Sequence, residues 1–159
     1  MPARDLNLLI EAVTKAGDVA RRFEGPKARA WDKGDGAGPV TEADLAVNEV
    51  LQTHLCAARP DYGWLSEETE DDTDRLSREH VFIVDPIDGT RSFIEGRRTW
   101  AHVVAVARQG QVTAAAIYLP LRERLYTAAL GQGAHLNGRT IAASARVGLS
   151  GAALLATKN

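Results

Sequence analysis

The sequence predicts an α+β domain in which two N-terminal helices pack on a largely antiparallel sheet. Two apolar stripes with helical spacing come first, and short runs of Val, Ile and Ala separated by Gly- and Asn-containing turns follow them. The chain has 159 residues, of which 45% are hydrophobic, so one domain can bury a sizeable core. Because no repeat or clear boundary interrupts it, we expect residues 1–159 to form one unit.

The first helix is predicted from about Ala3 to Glu24. Its apolar residues recur three and four positions apart and form one stripe: Leu6, Leu9, Ile10, Val13, Ala16, Ala20 and Phe23. A Gly-Pro pair directly afterwards is typical of a helix end. The glycine-rich segment 31–40 is interpreted as a mobile connection. Within it, Lys33 is a weak candidate for holding a carboxylate cluster together or meeting a phosphate.

The second helix is predicted to begin after Thr41, a good N-cap residue. Asp44 follows three positions later and approximates a capping box. The apolar face continues through Leu45, Val47, Val50, Leu51 and Leu55. Local sequence alone leaves two readings of Asp44 equally open: a first-turn acid that favours the helix dipole, or a functional carboxylate.

Two strands that end in acids follow the helices. Residues 63–68 look like a short strand ending in Glu67 and Glu68, and the rest of the acidic run after it reads as a solvated loop. Val81–Val84 is a run of β-branched and aromatic residues, which predicts a buried strand. We expect that strand to end at Pro86, which cannot donate to a ladder. Residues 88–90 have the chemistry of a tight turn entering a helix.

A meander of short strands is predicted for the remainder of the chain. Gln109-Gly110 and Asn137-Gly138 are hairpin signals. The predicted strands are Ala101–Arg108, Gln111–Tyr118, Arg124–Ala129, the pair His135-Leu136 and Thr140–Ala142, and Ala152–Thr157.

Composition argues against several classes of partner. The formal net charge of −2 gives no electrostatic case for a nucleic acid polymer or an anionic membrane. No apolar run approaches the ~18 residues of a membrane span, and the N-terminus lacks a signal-peptide layout. The single cysteine, Cys56, cannot form an internal disulfide, which fits a reducing compartment. We therefore expect a cytoplasmic protein without a nucleic acid or membrane partner.

Five acids stand out because of where they fall relative to the predicted elements. They are Asp44, Glu67, Glu68, Asp85 and Asp88. Grouping carboxylates without a cation is costly because they repel, so the grouping predicts a hard divalent cation such as Mg²⁺. One cysteine and four scattered histidines give no zinc spacing. A Gly-x-Ser-x-Gly nucleophile motif is also absent from the sequence.

The hexapeptide Asp85–Thr90 resembles the metal-binding motif of the inositol monophosphatase superfamily of Mg²⁺-dependent, lithium-sensitive phosphatases. Residues 39–44 resemble the helix-opening segment of that family, and residues 66–68 resemble its glutamate pair. Residues 118–120 and 131–134 also fall where the family has similar strand and turn residues. Three ordered motifs at these separations make the resemblance specific, and it covers most of the chain.

The resemblance implies roles for the acids around the metal. Glu67, Asp85 and the carbonyl of Ile87 should hold a first Mg²⁺, and Asp85 and Asp88 should share a second. Two or three ions are expected in all, and Li⁺ is expected to inhibit. Glu67 is also expected among the catalytic residues, with Asp44 and Thr90.

The resemblance also implies which residues bind the phosphate and which activate the attacking water. Gly89 and Thr90 should offer backbone N–H groups to the phosphate of a small phosphorylated substrate. Asp44 and Thr90 should together orient and deprotonate the attacking water. Glu68 is expected to support the ligands rather than bind metal, and Lys33 stays a weak candidate.

The substrate is less closely defined than the chemistry. Residues 66–69 and 90–93 resemble bacterial 3′(2′),5′-bisphosphate nucleotidases, so hydrolysis of 3′-phosphoadenosine 5′-phosphate to AMP is the expected reaction. An inositol-1-phosphate or sugar-phosphate phosphatase is the first alternative. A truncated, catalytically silent domain that binds metal or a partner is the second.

The resemblance stops short of the whole family fold. That fold has a second, C-terminal α/β domain, which supplies a further aspartate in a Trp-Asp segment. The only Trp-Asp here is Trp31-Asp32, near the N-terminus. We therefore expect the chain to be an N-terminal metal-binding portion of a protein larger than 17.1 kDa. A homodimer, common in the family, is a further expectation.

Overall fold

The computed structural model describes residues 2–34 and 38–153, and within α1 it describes side chains from Arg4 onward. The helices are α1 (Pro2–Ala20), α2 (Glu42–Ala58) and the short α3 (Thr90–Ile94). The strands are β1 (Ala30–Asp32), β2 (Pro39–Thr41), β3 (Gly63–Ser66), β4 (His80–Asp88), β5 (Ala101–Arg108), β6 (Gln111–Leu119), β7 (Arg124–Ala129), β8 (Gly133–Leu136) and β9 (Arg139–Ile141). Single turns of 3₁₀ helix lie at Gly25–Lys27, Thr73–Ser77 and Pro120–Arg122.

One seven-stranded sheet organises the structure. Its strands follow the order β3-β4-β5-β6-β7-β8-β9, so each strand pairs with its neighbour in the chain. β3 and β4 are parallel, and every other pair in this sheet is antiparallel. β1 and β2 form a separate antiparallel pair. The predicted α+β class with a largely antiparallel sheet is confirmed.

The core lies between one face of this sheet and the helices α1 and α2. Leu9 of α1, Leu51 of α2, Phe82 of β4 and Val104 of β5 are all completely buried there. Burying a side chain of this size stabilises the fold by roughly 1.5–3 kcal/mol. The alternate residues of the strands face the other way, and Ile83 is 39% exposed on that open face.

The first helix is shorter than the predicted span to Glu24. It ends at Ala20, and the backbone N–H groups of Arg22 and Phe23 then donate to Val19 and Ala20, three residues back. These bonds tighten the chain into a turn before the Gly-Pro pair is reached. Phe23 still packs against the core, so its apolar spacing indicated burial rather than helix.

The flanks of the glycine-rich segment are not the predicted mobile connection. They pair as the hairpin β1–β2, with Trp31 opposite Val40 in the register. Each strand has only three residues, too few to produce the alternation that predicts a strand. The pairing also positions Lys33, which follows β1.

Strand β4 runs through Pro86 rather than ending there, so that prediction was wrong. The register against β5 shifts between Asp85 and Asp88, which marks a bulge or irregularity. A bulge leaves a residue unpaired, so Pro86 sits in the strand without needing a backbone N–H for the ladder. Asp85 and Asp88 are the two residues on either side of this register shift.

Two further expectations concern the last strand and a membrane span. The predicted last strand, Ala152–Thr157, lies mostly outside the described residues, and Ala152 and Ala153 are not in a strand. Within the described part of the chain, none of the helices is both long and apolar enough to cross a bilayer.

Candidate active site

A cleft at the carboxyl ends of β3 and β4 gathers most of the predicted site residues. Because these strands are parallel, the segments that follow them leave the sheet at the same edge. The backbone N–H of Glu67 donates to the carbonyl of Val84 at 3.2 Å, which holds the turn after β3 against β4. The cleft has a volume of about 300 Å³. It is lined by Gly38, Pro39, Glu67, Asp85, Ile87, Asp88, Gly89, Thr90 and Arg91.

Two other cavities, each of about 330 Å³, lie away from this cleft. One lies between β3 to β5 and the segment 75–78, and the other lies beside the loop after β3. Neither is lined by a predicted site residue. We therefore place the candidate chemistry in the acidic cleft, because function follows the reactive groups rather than cavity size.

Asp44 caps α2 as the sequence predicted and also contacts Thr90 of the cleft. It closes the predicted capping box, since its Oδ2 accepts from the backbone N–H of Thr41 at 2.8 Å. Its Oδ1 accepts from the hydroxyl of Thr90 at 3.2 Å. Burial raises the pKa of Asp44, although the hydrogen bonds from Thr41 and Thr90 counteract that rise. The helix-capping acid and the candidate base are therefore the same buried group.

Gly89 and Thr90 form the turn between β4 and α3. Gly89 has a φ of +90°, and a Cβ there would lie 3.2 Å from the carbonyl oxygen of Thr99, so glycine is favoured on both counts. The Thr90 hydroxyl also lies 3.0 Å from the carbonyl oxygen of Ile87. A hydroxyl has one hydrogen, so it donates to Asp44 or Ile87 at any moment. The Ile87 carbonyl retains a lone pair for another partner.

Asp85 lies among the other four acids of the predicted set. Burial and, in decreasing order, the negative charges of Glu67, Asp88, Asp44 and Glu68 together raise its pKa to about 7. Without a cation, this carboxyl therefore changes its protonation state near neutral pH. A bound cation would favour the ionised form instead.

Lys33 contacts two of the acids directly. Its Nζ lies 2.9 Å from Oε1 of Glu67 and 2.5 Å from Oε1 of Glu68. Desolvation lowers the pKa of Lys33, but the bonds and charges of the two glutamates outweigh it, so the pKa is raised. Burial raises the pKa of Glu68, and nearby acids add to this rise, despite the opposing effect of Lys33. Lys33 is therefore a single ammonium group shared by two carboxylates.

The donor chemistry of the cleft fits Mg²⁺, but the ligands are not already assembled. Among residues 2–34 and 38–153, no three acidic, His or Cys side chains are close enough together to hold a metal ion. Glu67 contacts Lys33, and Asp85 is held near other carboxylates. Carboxylates and a backbone carbonyl are nevertheless the oxygen ligands that hard cations take.

Sequence reasoning missed two residues beside the cleft, His102 and Arg91. Nδ1 of His102, a buried residue of β5, lies 2.5 Å from the carbonyl oxygen of Pro86 in the irregular part of β4. Burial lowers the pKa of His102 to about 4, so the ring is neutral and Nδ1 donates. Its Nε2 has no hydrogen-bond partner among the described residues. In the sequence, His102 is distinguished only as a histidine within a predicted apolar strand. No sequence pattern indicated that Arg91 would lie beside the cleft.

The chain is similar to known proteins in both sequence and structure. A profile described as the inositol monophosphatase family matches residues 2–159. The chain belongs to the inositol monophosphatase family. It is 40% identical to an inositol-1-monophosphatase of Rhizobium meliloti over 94% of this chain and 56% of the relative. It is 35% identical to a histidinol-phosphatase of Chlorobaculum parvum over 89% of this chain and 54% of the relative.

The solved structures support the same fold. The extragenic suppressor protein suhB from Bartonella henselae superposes with a TM-score of 0.82 and 35% identity, over 90% of this chain and 55% of that one. The chain therefore spans little more than half the length of these family members. The inositol-1-monophosphatase and histidinol-phosphatase relatives carry no nucleotidase name, so they give no support to the expected nucleotidase assignment.

Proposed function

We propose that the full-length protein is a Mg²⁺-dependent phosphomonoesterase that hydrolyses a small phosphorylated metabolite. The observation that carries this proposal is the acidic cleft, where the hydroxyl–carboxylate pair of Thr90 and Asp44 lies beside Glu67, Asp85 and Asp88. Membership of a family of phosphatases supplies the reaction class. The donor set is what a cation-assisted reaction on a phosphate requires.

The acidic residues and the turn residues of the cleft have proposed roles. Glu67, Asp85, Asp88 and the Ile87 carbonyl would hold two or three Mg²⁺ ions. Bound Mg²⁺ would lower the pKa of a water molecule and neutralise charge on the phosphate. The backbone N–H groups of Gly89 and Thr90 would hold the phosphate oxygens.

Asp44 and Thr90 would move the proton. The Thr90 hydroxyl donates towards Asp44, so its oxygen can accept a proton from water while its own hydrogen passes to Oδ1 of Asp44. The raised pKa of Asp44 makes it a stronger base than an exposed aspartate. The water oxygen then forms a bond to phosphorus as the ester P–O bond breaks, and the leaving oxygen takes a proton from solvent, while Asp44 returns its proton to solvent. The products are an alcohol and inorganic phosphate.

The choice of substrate differs from the first expectation. We rank inositol 1-phosphate ahead of 3′-phosphoadenosine 5′-phosphate, because a relative 40% identical over most of this chain is named an inositol-1-monophosphatase. Histidinol phosphate is a further candidate substrate, because the second relative is named a histidinol-phosphatase. The resemblance of residues 66–69 and 90–93 to nucleotidases keeps the nucleotide in the comparison.

A substrate panel on the full-length protein tests this proposal. Phosphate release would be measured from inositol 1-phosphate, 3′-phosphoadenosine 5′-phosphate, histidinol phosphate and a sugar phosphate, with Mg²⁺, with a chelator and with added Li⁺. We expect Mg²⁺-dependent release from one substrate in preference to the others, and inhibition by Li⁺. No release from any of them in the presence of Mg²⁺ would refute the phosphatase proposal.

A silent domain remains the alternative for the 159-residue chain by itself, since it covers only about half of its relatives. Calorimetric titration with Mg²⁺, run beside the activity assay, separates the two cases: binding without turnover favours the silent domain. The expected homodimer and cytoplasmic location are also proposals. Light scattering of the purified protein and cell fractionation would test them.

A further inference from the structure

Asn48 joins the helix that carries Asp44 to the turn that carries Glu67. It lies on α2 and is 8% exposed. Its Oδ1 accepts from the hydroxyl of Ser66 at 2.6 Å, and its Nδ2 donates to Oγ1 of Thr69 at 2.9 Å. One side-chain amide therefore holds both ends of the four-residue turn that leaves β3.

The same two hydroxyls make further hydrogen bonds within and beside the turn. Oγ of Ser66 accepts from the backbone N–H of Glu68 at 3.3 Å. The backbone carbonyl of Ser66 also accepts from the backbone N–H of Thr69 at 3.5 Å. Oγ1 of Thr69 also accepts from Nε1 of Trp64 at 3.3 Å. The amide and both hydroxyls are thus committed to one network, and every bond in it restricts the position of this turn.

The turn needs such a tether for an electrostatic reason. It begins an acidic run, and its own two acids approach Asp44 and Asp85 closely enough to raise the pKa of Asp85. Like charges repel, so an unrestrained turn would move its carboxylates away from the cleft. A neutral amide can hold the turn in place without adding to this repulsion.

The geometry also links two groups with different tasks. Asp44 and Asn48 are four residues apart on one helix, so their side chains lie on the same face, one turn from each other. Asp44 contacts Thr90, while Asn48 contacts the residues on either side of the two glutamates. The helix is rigid over this distance, so Asn48 sets where Glu67 lies relative to Asp44.

We propose that Asn48 is a positioning residue, which fixes the Glu67 turn so that the metal ligand and the water-activating pair share one cleft. This inference rests on the proposed function for its consequence in catalysis. It differs from simple core packing because the network ends on the two residues that flank the glutamates. Losing it should weaken Mg²⁺ binding more than it weakens substrate binding.

The test compares variants with and without the hydrogen bonds. Thr69→Val removes the hydroxyl at nearly constant volume, while Thr69→Ser keeps it and serves as the conservative rescue. Asn48→Leu removes the whole amide. Gln52→Ala is the matched control, since Gln52 lies one turn further along α2 and makes no side-chain hydrogen bond within the described part of the chain.

Mg²⁺ affinity by calorimetry, and Mg²⁺ half-saturation, kcat and KM from the activity assay, would be measured on the full-length protein. We expect Thr69→Val and Asn48→Leu to weaken Mg²⁺ binding about tenfold. Thr69→Ser should restore most of the affinity, Gln52→Ala should leave it unchanged, and KM at saturating Mg²⁺ should shift less than twofold. If Asn48→Leu does not fold, the Thr69 pair decides the question.

Two results would overturn the inference. The first is a folded Thr69→Val protein whose Mg²⁺ affinity stays within twofold of wild type. The second is an equal loss in Thr69→Ser, which would show that packing rather than the hydroxyl matters. If the wild type binds Mg²⁺ but hydrolyses none of the panel, the phosphatase proposal fails while the calorimetry still tests the positioning role. A wild type that binds no Mg²⁺ overturns both.

Discussion

The hydroxyl of Thr90 lies 3.2 Å from Oδ1 of Asp44, although 46 positions separate the two residues in the chain. One stands at the start of α3 and the other in the first turn of α2. They can meet because α2 and β4 pack against each other. They are the proton-transfer pair of the proposed reaction.

Replacing Thr90 should separate hydroxyl chemistry from side-chain shape. Thr90→Val removes the proton relay and should lower kcat about 100-fold, the usual scale of general-base catalysis. Thr90→Ser keeps the hydroxyl and should retain most of the activity. Steady-state kinetics at saturating Mg²⁺ would measure both. A kcat within threefold of wild type for Thr90→Val would contradict the assigned role.

Removing the charge of Asp88 should affect the cations directly. Asp88→Asn eliminates one proposed ligand charge in the cleft and should lower turnover steeply, by roughly 10- to 100-fold at limiting Mg²⁺. The control is Asp61→Asn, which removes an exposed acid just before β3, at the end of that strand remote from the cleft. Phosphate release across a Mg²⁺ titration is the measurement. Equal turnover in the two variants would exclude Asp88 as a ligand.

Asp85 should make metal-free stability depend on pH. Its folded pKa of about 7 is above the usual 3.8, so its contribution to stability is present below pH 3.8 and is lost as pH rises through 7. Mg²⁺ competes with that proton, so the rise in Tm caused by Mg²⁺ should grow between pH 5 and pH 8. Thermal unfolding with and without Mg²⁺ would show this, and Asp85→Asn should flatten the trend. An equal Mg²⁺ effect at both pH values would argue against it.

His102 should make the stability of the fold decrease as pH falls, which is the opposite of the effect of Asp85. Its folded pKa of about 4 is below 6.5, so the unfolded chain binds the proton first and His102 costs stability as pH falls from 6.5 to 4. His102→Asn keeps a donor for the Pro86 carbonyl but does not titrate in this range. The stability of wild type relative to this variant should therefore fall by on the order of 3 kcal/mol between pH 7 and pH 4. Urea unfolding at several pH values would measure the difference, and a constant gap would refute it.

Lys33 should stabilise the metal-free cleft and compete with Mg²⁺ for Glu67. Lys33→Met leaves Glu68 without its cation, and because the Glu68 side chain is only 7% exposed, the metal-free Tm should drop by about 4 °C or more. Mg²⁺ should then bind more tightly, since Glu67 no longer contacts an ammonium group. Differential scanning calorimetry and Mg²⁺ titration would measure the two effects.

The matched control for Lys33 is Lys27→Met. Lys27 pairs with Glu24, and both side chains are mostly exposed, at 77% and 69%. Exposed pairs contribute little, so this variant should change neither Tm nor Mg²⁺ affinity measurably. A Lys33→Met protein that behaves like the control would show that the contacts with the glutamates carry no stability.

Local chemistry in the sequence was sufficient for much of the fold. The capping box at Thr41 and Asp44 involves residues three apart, so it could be predicted from spacing alone and is present in the structure. The hairpin turn at Gln109-Gly110 was likewise predicted from two adjacent residues. In the structure both have the positive φ that such a turn requires. The course of β4 through Pro86 was not predictable, because the register shift depends on pairing with β5.

The candidate site also has features that local sequence predicts and features that depend on tertiary packing. The sequence alone determined which acids could meet, because each lies at the end or start of a predicted element, and it determined the family to which they are similar. Only the tertiary structure decided that Lys33 contacts two glutamates, that His102 reaches the Pro86 carbonyl and that Asn48 holds both ends of the turn. Those contacts join distant segments, and packing of helices on the sheet, not local spacing, brings such segments within hydrogen-bonding distance.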